Sequence, residues 1–233
     1  MAYGVWAMTD TESGGFRAYT RRRGRITNAQ ERGLGLFVER YEADAADVNR
    51  AAGHSRIGIE VGFGMGDALL EWPQNWEGQL FGIELYQPGI GSVCDALARQ
   101  AITNVKVIDA PAQEVVQNLD DACIDEIRIF FPDPWPKKRH HKRRLIQPPF
   151  VADLARVLRP GGALRVATDW SPYADWIRGC VAGVGGLVIE LDQIRAAFQE
   201  TSAAVGREAT KFESRGERLG HDIHDLVYRR SVT

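Results

Sequence analysis

Five short apolar runs, each followed by a stretch of helical spacing, constrain this chain more than any other feature. The runs are Arg56–Val61, Gln79–Glu84, Val105–Ile108, Ile124–Phe131 and Ala163–Thr168. They are nearly continuous rather than alternating, as expected of strands covered on both faces. Helical stretches near Asp67–Glu71, Pro88–Gln100, Ala112–Leu119 and Pro148–Leu158 lie between them, and Asn28 to about Ala46 reads as a first helix. Pro160-Gly161-Gly162 reads as a turn from helix to strand. This alternation requires crossover connections, so the expected fold is α/β, a parallel sheet with helices on both faces. Beyond Pro172–Val184 the pattern weakens, and a last strand is expected at His224–Arg229.

Length and composition bound the rest. At 233 residues, 44% of them hydrophobic, the chain can bury one full core. We expect a single domain over 26–233, preceded by a flexible basic arm over 1–25. No run of about 18 apolar residues suggests a membrane helix, and the first residues lack the pattern of a signal peptide. Cys94, Cys123 and Cys180 form no CxxC and are odd in number, so they read as reduced core thiols. A cytoplasmic protein without a structural metal is the expectation.

The first run leads into Glu60-Val61-Gly62-Phe63-Gly64-Met65-Gly66-Asp67. Glycines here let the backbone turn sharply and approach a cofactor closely. A dinucleotide site wants G-x-G-x-x-G, but Asp67 stands at the last place. The spacing found, with an acid two residues before Gly62, is typical of S-adenosylmethionine sites. Glu84 ends the second run and is placed to hydrogen-bond ribose hydroxyls. A nicotinamide enzyme would use an acid at a similar distance, so Glu84 supports nucleoside binding without choosing the cofactor.

The fourth run ends in Phe130-Phe131-Pro132-Asp133-Pro134-Trp135-Pro136, followed by Lys137-Lys138-Arg139-His140-His141-Lys142-Arg143-Arg144. A stiff loop holding an acid beside a flat aromatic suits a planar base, and the cations that follow suit phosphates. The formal charge of −2 hides this segregation. Arg17, Arg21, Arg22, Arg23 and Arg25 form a second acid-free basic run. Setting aside the 11 cations of both runs leaves 18 basic residues against 31 acids, about −13. Such a distribution points to a polyanionic partner although the net charge does not.

Together these motifs resemble the bacterial tRNA (guanine-N7)-methyltransferases. The resemblance runs from about residue 16 to 229. It is carried by the glycine motif, Phe-Gly-Ile-Glu84, the Pro-Asp-Pro-Trp segment with its basic tail, Ala-Thr168-Asp169-Trp-Ser-Pro-Tyr173, and Thr210-Lys211-Phe212-Glu213-Ser-Arg215-Gly. It implies a Rossmann-like class I methyltransferase with a mostly parallel seven-stranded sheet, acting with S-adenosylmethionine on N7 of a guanine in the tRNA variable loop, at tRNA position 46. It implies no membrane, and the protein is expected to be a monomer or weak homodimer. Carried over by position, the cofactor residues are Glu60, Gly62, Gly64, Gly66, Glu84 and Asp133, with Asp133 also the catalytic residue. Lys137, Asp169, Thr210, Lys211, Phe212 and Glu213 would contact the substrate. Arg139, His140, His141, Lys142, Arg143 and Arg144 would face RNA. One departure concerns the third strand, after which the family carries an Asp-Ala or Asn-Ala pair for the adenine amino group. Here the matching pair is Pro111-Ala112, so either Asp109 substitutes through a shifted loop or the contact is absent; Asp109, Pro111 and Ala112 are the cofactor residues expected in this segment.

Competing roles exist for several of these side chains. Asp169 suits a helix N-cap before Ser171-Pro172, Trp135 suits either stacking on a base or wedging the loop, and Glu213 suits pairing with Arg215 or Arg218. His221 and His224 lack a third ligand at metal spacing and read as structural. Competing functions are another nucleic-acid methyltransferase, a nucleotide-dependent dehydrogenase and a non-catalytic RNA-binding module.

Overall fold

The computed structural model describes residues 26–195 and 220–232. Seven strands form one sheet in the order β3-β2-β1-β4-β5-β7-β6. Strands β1 (Ile57–Val61), β2 (Gln79–Ile83), β3 (Val105–Ile108), β4 (Ile124–Phe130) and β5 (Leu158–Thr168) are parallel. β7 (Ile223–Arg230) runs antiparallel between β5 and β6 (Leu187–Arg195). The expected α/β fold is therefore present, with β6 and β7 added as an antiparallel edge.

Both faces of the sheet are covered, which explains the nearly continuous apolar runs. All five residues of β1 are buried. Successive side chains point to opposite faces, so Leu80 and Val107 join one core while Phe81 and Ile108 join the other. The first core takes in α1 (Asn28–Leu36), α3 (Asp67–Glu71) and α4 (Gln87–Arg99) with Phe63, Leu69, Trp72, Ile90 and Val93. The second takes in α2 (Ala45–Ala52), α5 (Ala112–Gln117), α6 (Pro148–Val157) and α7 (Ser171–Val184) with Val48, Val116, Leu154 and Ile177. Chain order runs outward from β1 to β3, then returns to β4 beside β1. The carboxyl ends of β1 and β4 thus form the switch point where open α/β sheets bind ligands.

Three elements differ from the sequence reading. The first helix ends at Leu36, continues as a π-helical turn over Phe37–Tyr41, and gives way at Glu42, which bridges to Val107. A new helix starts because Asp44 and Asp47 form a reciprocal capping box. Pro160–Gly162 lies inside β5, where the register shifts between Ile124 and Glu126 and Gly161 takes φ +78°. β6 escapes sequence detection because an edge strand has one weakly buried face: Val188, Ile189 and Ile194 are exposed.

Two backbone contacts hold the first helices against the site. A Cβ on Gly33 would lie 1.8 Å from the Gly91 carbonyl oxygen, and one on Gly89 would lie 1.9 Å from that of Gly64. Only glycine permits α1 to seat on α4, and α4 on the loop after β1, at this distance.

Candidate active site

The loop after β1 turns through three left-handed glycines, with φ of +71° at Gly62, +57° at Gly64 and +87° at Gly66. Nothing lies within 4 Å of a Cβ built on Gly62, so its missing side chain faces open space. The loop is clamped from β2. Glu84 Oε2 accepts from the Gly64 amide at 2.8 Å, and Oε1 accepts from the amides of Leu85 at 2.8 Å and Tyr86 at 3.1 Å. These three bonds fix the carboxylate at the cleft edge and leave acceptor capacity mainly on Oε2.

Glu60, Gly62, Met65, Asp67, Phe130 and Phe131 line a cleft at the switch point. Glu60 is 3% exposed, and its Oε2 is a buried oxygen without a hydrogen-bond partner. Burial pushes its carboxyl up to about 8, Arg128 opposes this, and the nearby Asp67 and Glu84 carboxylates add to it. A buried acid with an empty acceptor, beside two more acids and two phenyl rings, suits a ligand combining a cation with apolar parts. Farther along, Gln87 Nε2 at the start of α4 donates to Asp109 Oδ2 at 2.8 Å. Pro111 occupies the N-cap of α5 and Ala112 its buried first position.

After β4 the chain enters a strained loop. Phe131 and Trp135 adopt φ +50° and +42°, a region costly for residues with side chains. Asp133 lies exposed between them. The basic run then winds into a short 3-10 helix, Lys138–Arg143. The His140 ring meets Trp135 edge-on with centroids 5.8 Å apart, and the Arg143 guanidinium lies 5.0 Å from the Trp135 ring. Trp135 thus packs against the basic run, a contact that leaves both of its expected roles open.

The run does not present all its cations alike. Lys137, Lys138, Arg139 and Lys142 are exposed, while His140, His141 and Arg143 are half-buried. Arg144 corrects the expectation of an RNA-facing side chain, for it is only 2% exposed. Its Nε donates to the Pro134 carbonyl at 2.9 Å, and its guanidinium lies 5.0 Å from the Tyr173 ring and 5.1 Å from that of Trp176. The sequence signal was present, since Tyr173 and Trp176 stand three apart on one face of α7.

Asp169 follows β5 but does not cap α7; the N-cap is Trp170, without a side-chain bond. Instead Asp169 Oδ2 meets His221 Nδ1 at 3.3 Å, and His224 Nε2 meets Ser171 Oγ at 2.9 Å. Sequence reasoning gave neither histidine this place, because the antiparallel β7 that brings them there was visible only in part. Among the described residues no cluster of His, Cys, Asp or Glu forms a metal site, and no helix is long and apolar enough to cross a membrane. Thr210, Lys211, Phe212, Glu213 and the arginines of 1–25 lie outside the described residues.

A sheet of this order, with a glycine loop and carboxylates at its switch point, defines a class I methyltransferase. Solved structures share the fold. An antibiotic-related methyltransferase superposes with a TM-score of 0.58 at 16% identity, covering 82% of this chain and 95% of that one. The 16S rRNA (adenine(1408)-N(1))-methyltransferase from Catenulisporales acidiphilia gives 0.56 at 14%, covering 81% and 94%. A family described as "Putative methyltransferase" matches residues 54–226. A tRNA (guanine-N(7)-)-methyltransferase of Nitrosococcus oceani is 43% identical, covering 92% of this chain and 91% of its own. One from Neisseria meningitidis is 40% identical, covering 92% and 90%. The chain belongs to the tRNA (guanine-N7)-methyltransferase family.

Proposed function

We propose that this protein methylates N7 of a guanine in the variable loop of tRNA, at tRNA position 46, using S-adenosylmethionine. The observation that carries the reading is Asp133, held in a strained proline loop beside the acidic cleft, in a chain 43% identical to a curated enzyme of that name. S-Adenosylmethionine supplies, when bound, a methyl group on a positively charged sulfur.

The cleft's residues fit such a cofactor. Glu60, with its unpartnered oxygen, accepts the cationic aminoacyl end. Glu84 holds the ribose from Oε2 while its backbone bonds keep Gly64 in place. Asp109, braced by Gln87, takes the adenine amino group where Pro111 has no donor or acceptor side chain to offer.

Guanine N7 carries a lone pair and no proton, so the transfer needs no general base. The protein's task is alignment and charge stabilisation. N7 and O6 are both acceptors and repel a carboxylate. A carboxylate can accept from N1–H and the 2-amino group, which leaves N7 free. Asp133 takes that part, and Asp169, steadied by His221, supplies the second negative charge at the rim. Lys137, Arg139, His140, His141, Lys142 and Arg143 meet the phosphates, with Thr210, Lys211, Phe212 and Glu213 as further substrate contacts. Residues 1–25 act as a basic arm, and the protein works in the cytoplasm as a monomer or weak homodimer.

A tRNA containing 7-deazaguanosine tests the atom assignment. It keeps N1–H and the 2-amino group but has carbon in place of N7. It is expected to compete with normal tRNA and to accept no methyl; labelled methyl in that transcript would overturn the reading.

A further inference from the structure

We infer that Arg144 is the positioning residue of the Pro-Asp-Pro loop, withdrawn from the RNA surface its neighbours form. The inference rests on the proposed role of Asp133. Pro132, Pro134 and Pro136 have no amide hydrogen, so the loop can be held only through carbonyls and the few amides between them. Arg144 Nε takes the Pro134 carbonyl at 2.9 Å, one residue after Asp133. That bond spans the segment between the left-handed residues Phe131 and Trp135, where the backbone most needs an outside restraint.

The guanidinium is itself fixed. It packs against Tyr173 and Trp176, whose polar atoms are both engaged by Ile146: its amide donates to the Tyr173 hydroxyl at 3.3 Å, and its carbonyl accepts from Trp176 Nε1 at 2.8 Å. Gln147 Nε2 donates to the carbonyls of His141 and Arg144, tying down the end of the 3-10 helix. A planar guanidinium can stack on aromatic rings and donate sideways from Nε. A lysine ammonium has neither the plane nor the lateral donor.

The test compares Arg144→Lys and Arg144→Met with Arg139→Gln, which removes an exposed cation. Arg139→Gln shows the signature of a lost phosphate contact, a log K against log salt slope flatter by about 0.7 to 0.9. Both Arg144 variants are expected to keep the wild-type slope and tRNA affinity while the single-turnover rate at saturating tRNA and S-adenosylmethionine falls tenfold or more. Hydrogen exchange at the Asp133, Trp135 and Lys137 amides is expected to quicken. Exchange reads the loop without any methyl transfer, so a wild type that leaves tRNA unmethylated would defeat the proposed function and still let Arg144 be judged. A flattened slope with unchanged loop exchange would overturn the inference, as would a lower melting temperature with the saturating rate preserved. Should the Arg144 variants fail to fold, Tyr173→Phe and Trp176→Phe loosen the same clamp and are expected to quicken the same amides; unchanged exchange in both would overturn it.

Discussion

In the proposed function single carboxylates carry the chemistry, and each is set apart by its surroundings. Asp133 is exposed and outside the core, so Asp133→Ala is expected to lower single-turnover methylation by orders of magnitude while stability changes by only about 0.5 kcal/mol. A near wild-type rate would remove it from the mechanism. Glu84 holds the loop and, in the proposed function, also the ribose. Losing a charged acceptor costs about 1.5 to 3 kcal/mol, so Glu84→Ala is expected to raise the cofactor KM roughly 10- to 100-fold. Because the same change releases the Gly64 amide, a 2′-deoxyribose cofactor analogue isolates the ribose contact. Wild type should discriminate against it and the variant much less. Glu60 differs in sign from an ordinary surface acid. Its carboxyl titrates near 8 when folded and near 4.5 otherwise, so its contribution to stability is complete below about 4.5 and declines as pH rises to about 8. A cationic ligand favours the ionised form, so binding at pH 7 should release a proton. Calorimetry in buffers of different ionisation enthalpy measures that release, and Glu60→Gln should abolish it.

At the scale of elements, the 3-10 helix after β4 sorts its cations by depth. Replacing Arg139 and Lys142 with Gln is expected to flatten the salt slope of tRNA binding by about 1.4 to 1.8 and leave cofactor affinity unchanged. An unchanged slope would mean that these side chains point away from RNA. The same segment marks how far the sequence could be read. Its composition announced a polyanion partner, because clustered charge is visible in one dimension. That Arg144 turns inward was legible only in part: Tyr173 and Trp176 share a face of α7, but nothing in the sequence places that face against residue 144. The five parallel strands were legible for the opposite reason: burial on both faces leaves few polar residues to break their pattern. β6 was not, because only Leu187 and Arg195 among its residues are buried. In the site, the glycine spacing and Glu84 were legible from local turn chemistry. The Asp169–His221 contact joins residues 52 apart and required the antiparallel strand to be known first.

Across the whole molecule, the tight glycine packing of α1, α4 and the loop after β1 has a consequence for tolerance to change. Ordinary interfaces have side chains that can shift a few tenths of an ångström when a neighbour grows. Gly89 has the Gly64 backbone carbonyl where its first carbon would go, and Gly33 has that of Gly91. Gly89→Ala therefore adds no charge and removes no functional group, yet should displace the cofactor loop and weaken S-adenosylmethionine binding; isothermal titration of the purified variant reads the loss, and wild-type affinity would show that the helix can shift freely. One methyl group at a position without chemistry is then more damaging than the loss of a whole cationic side chain from the surface, and the molecule's least replaceable residues include some of its smallest.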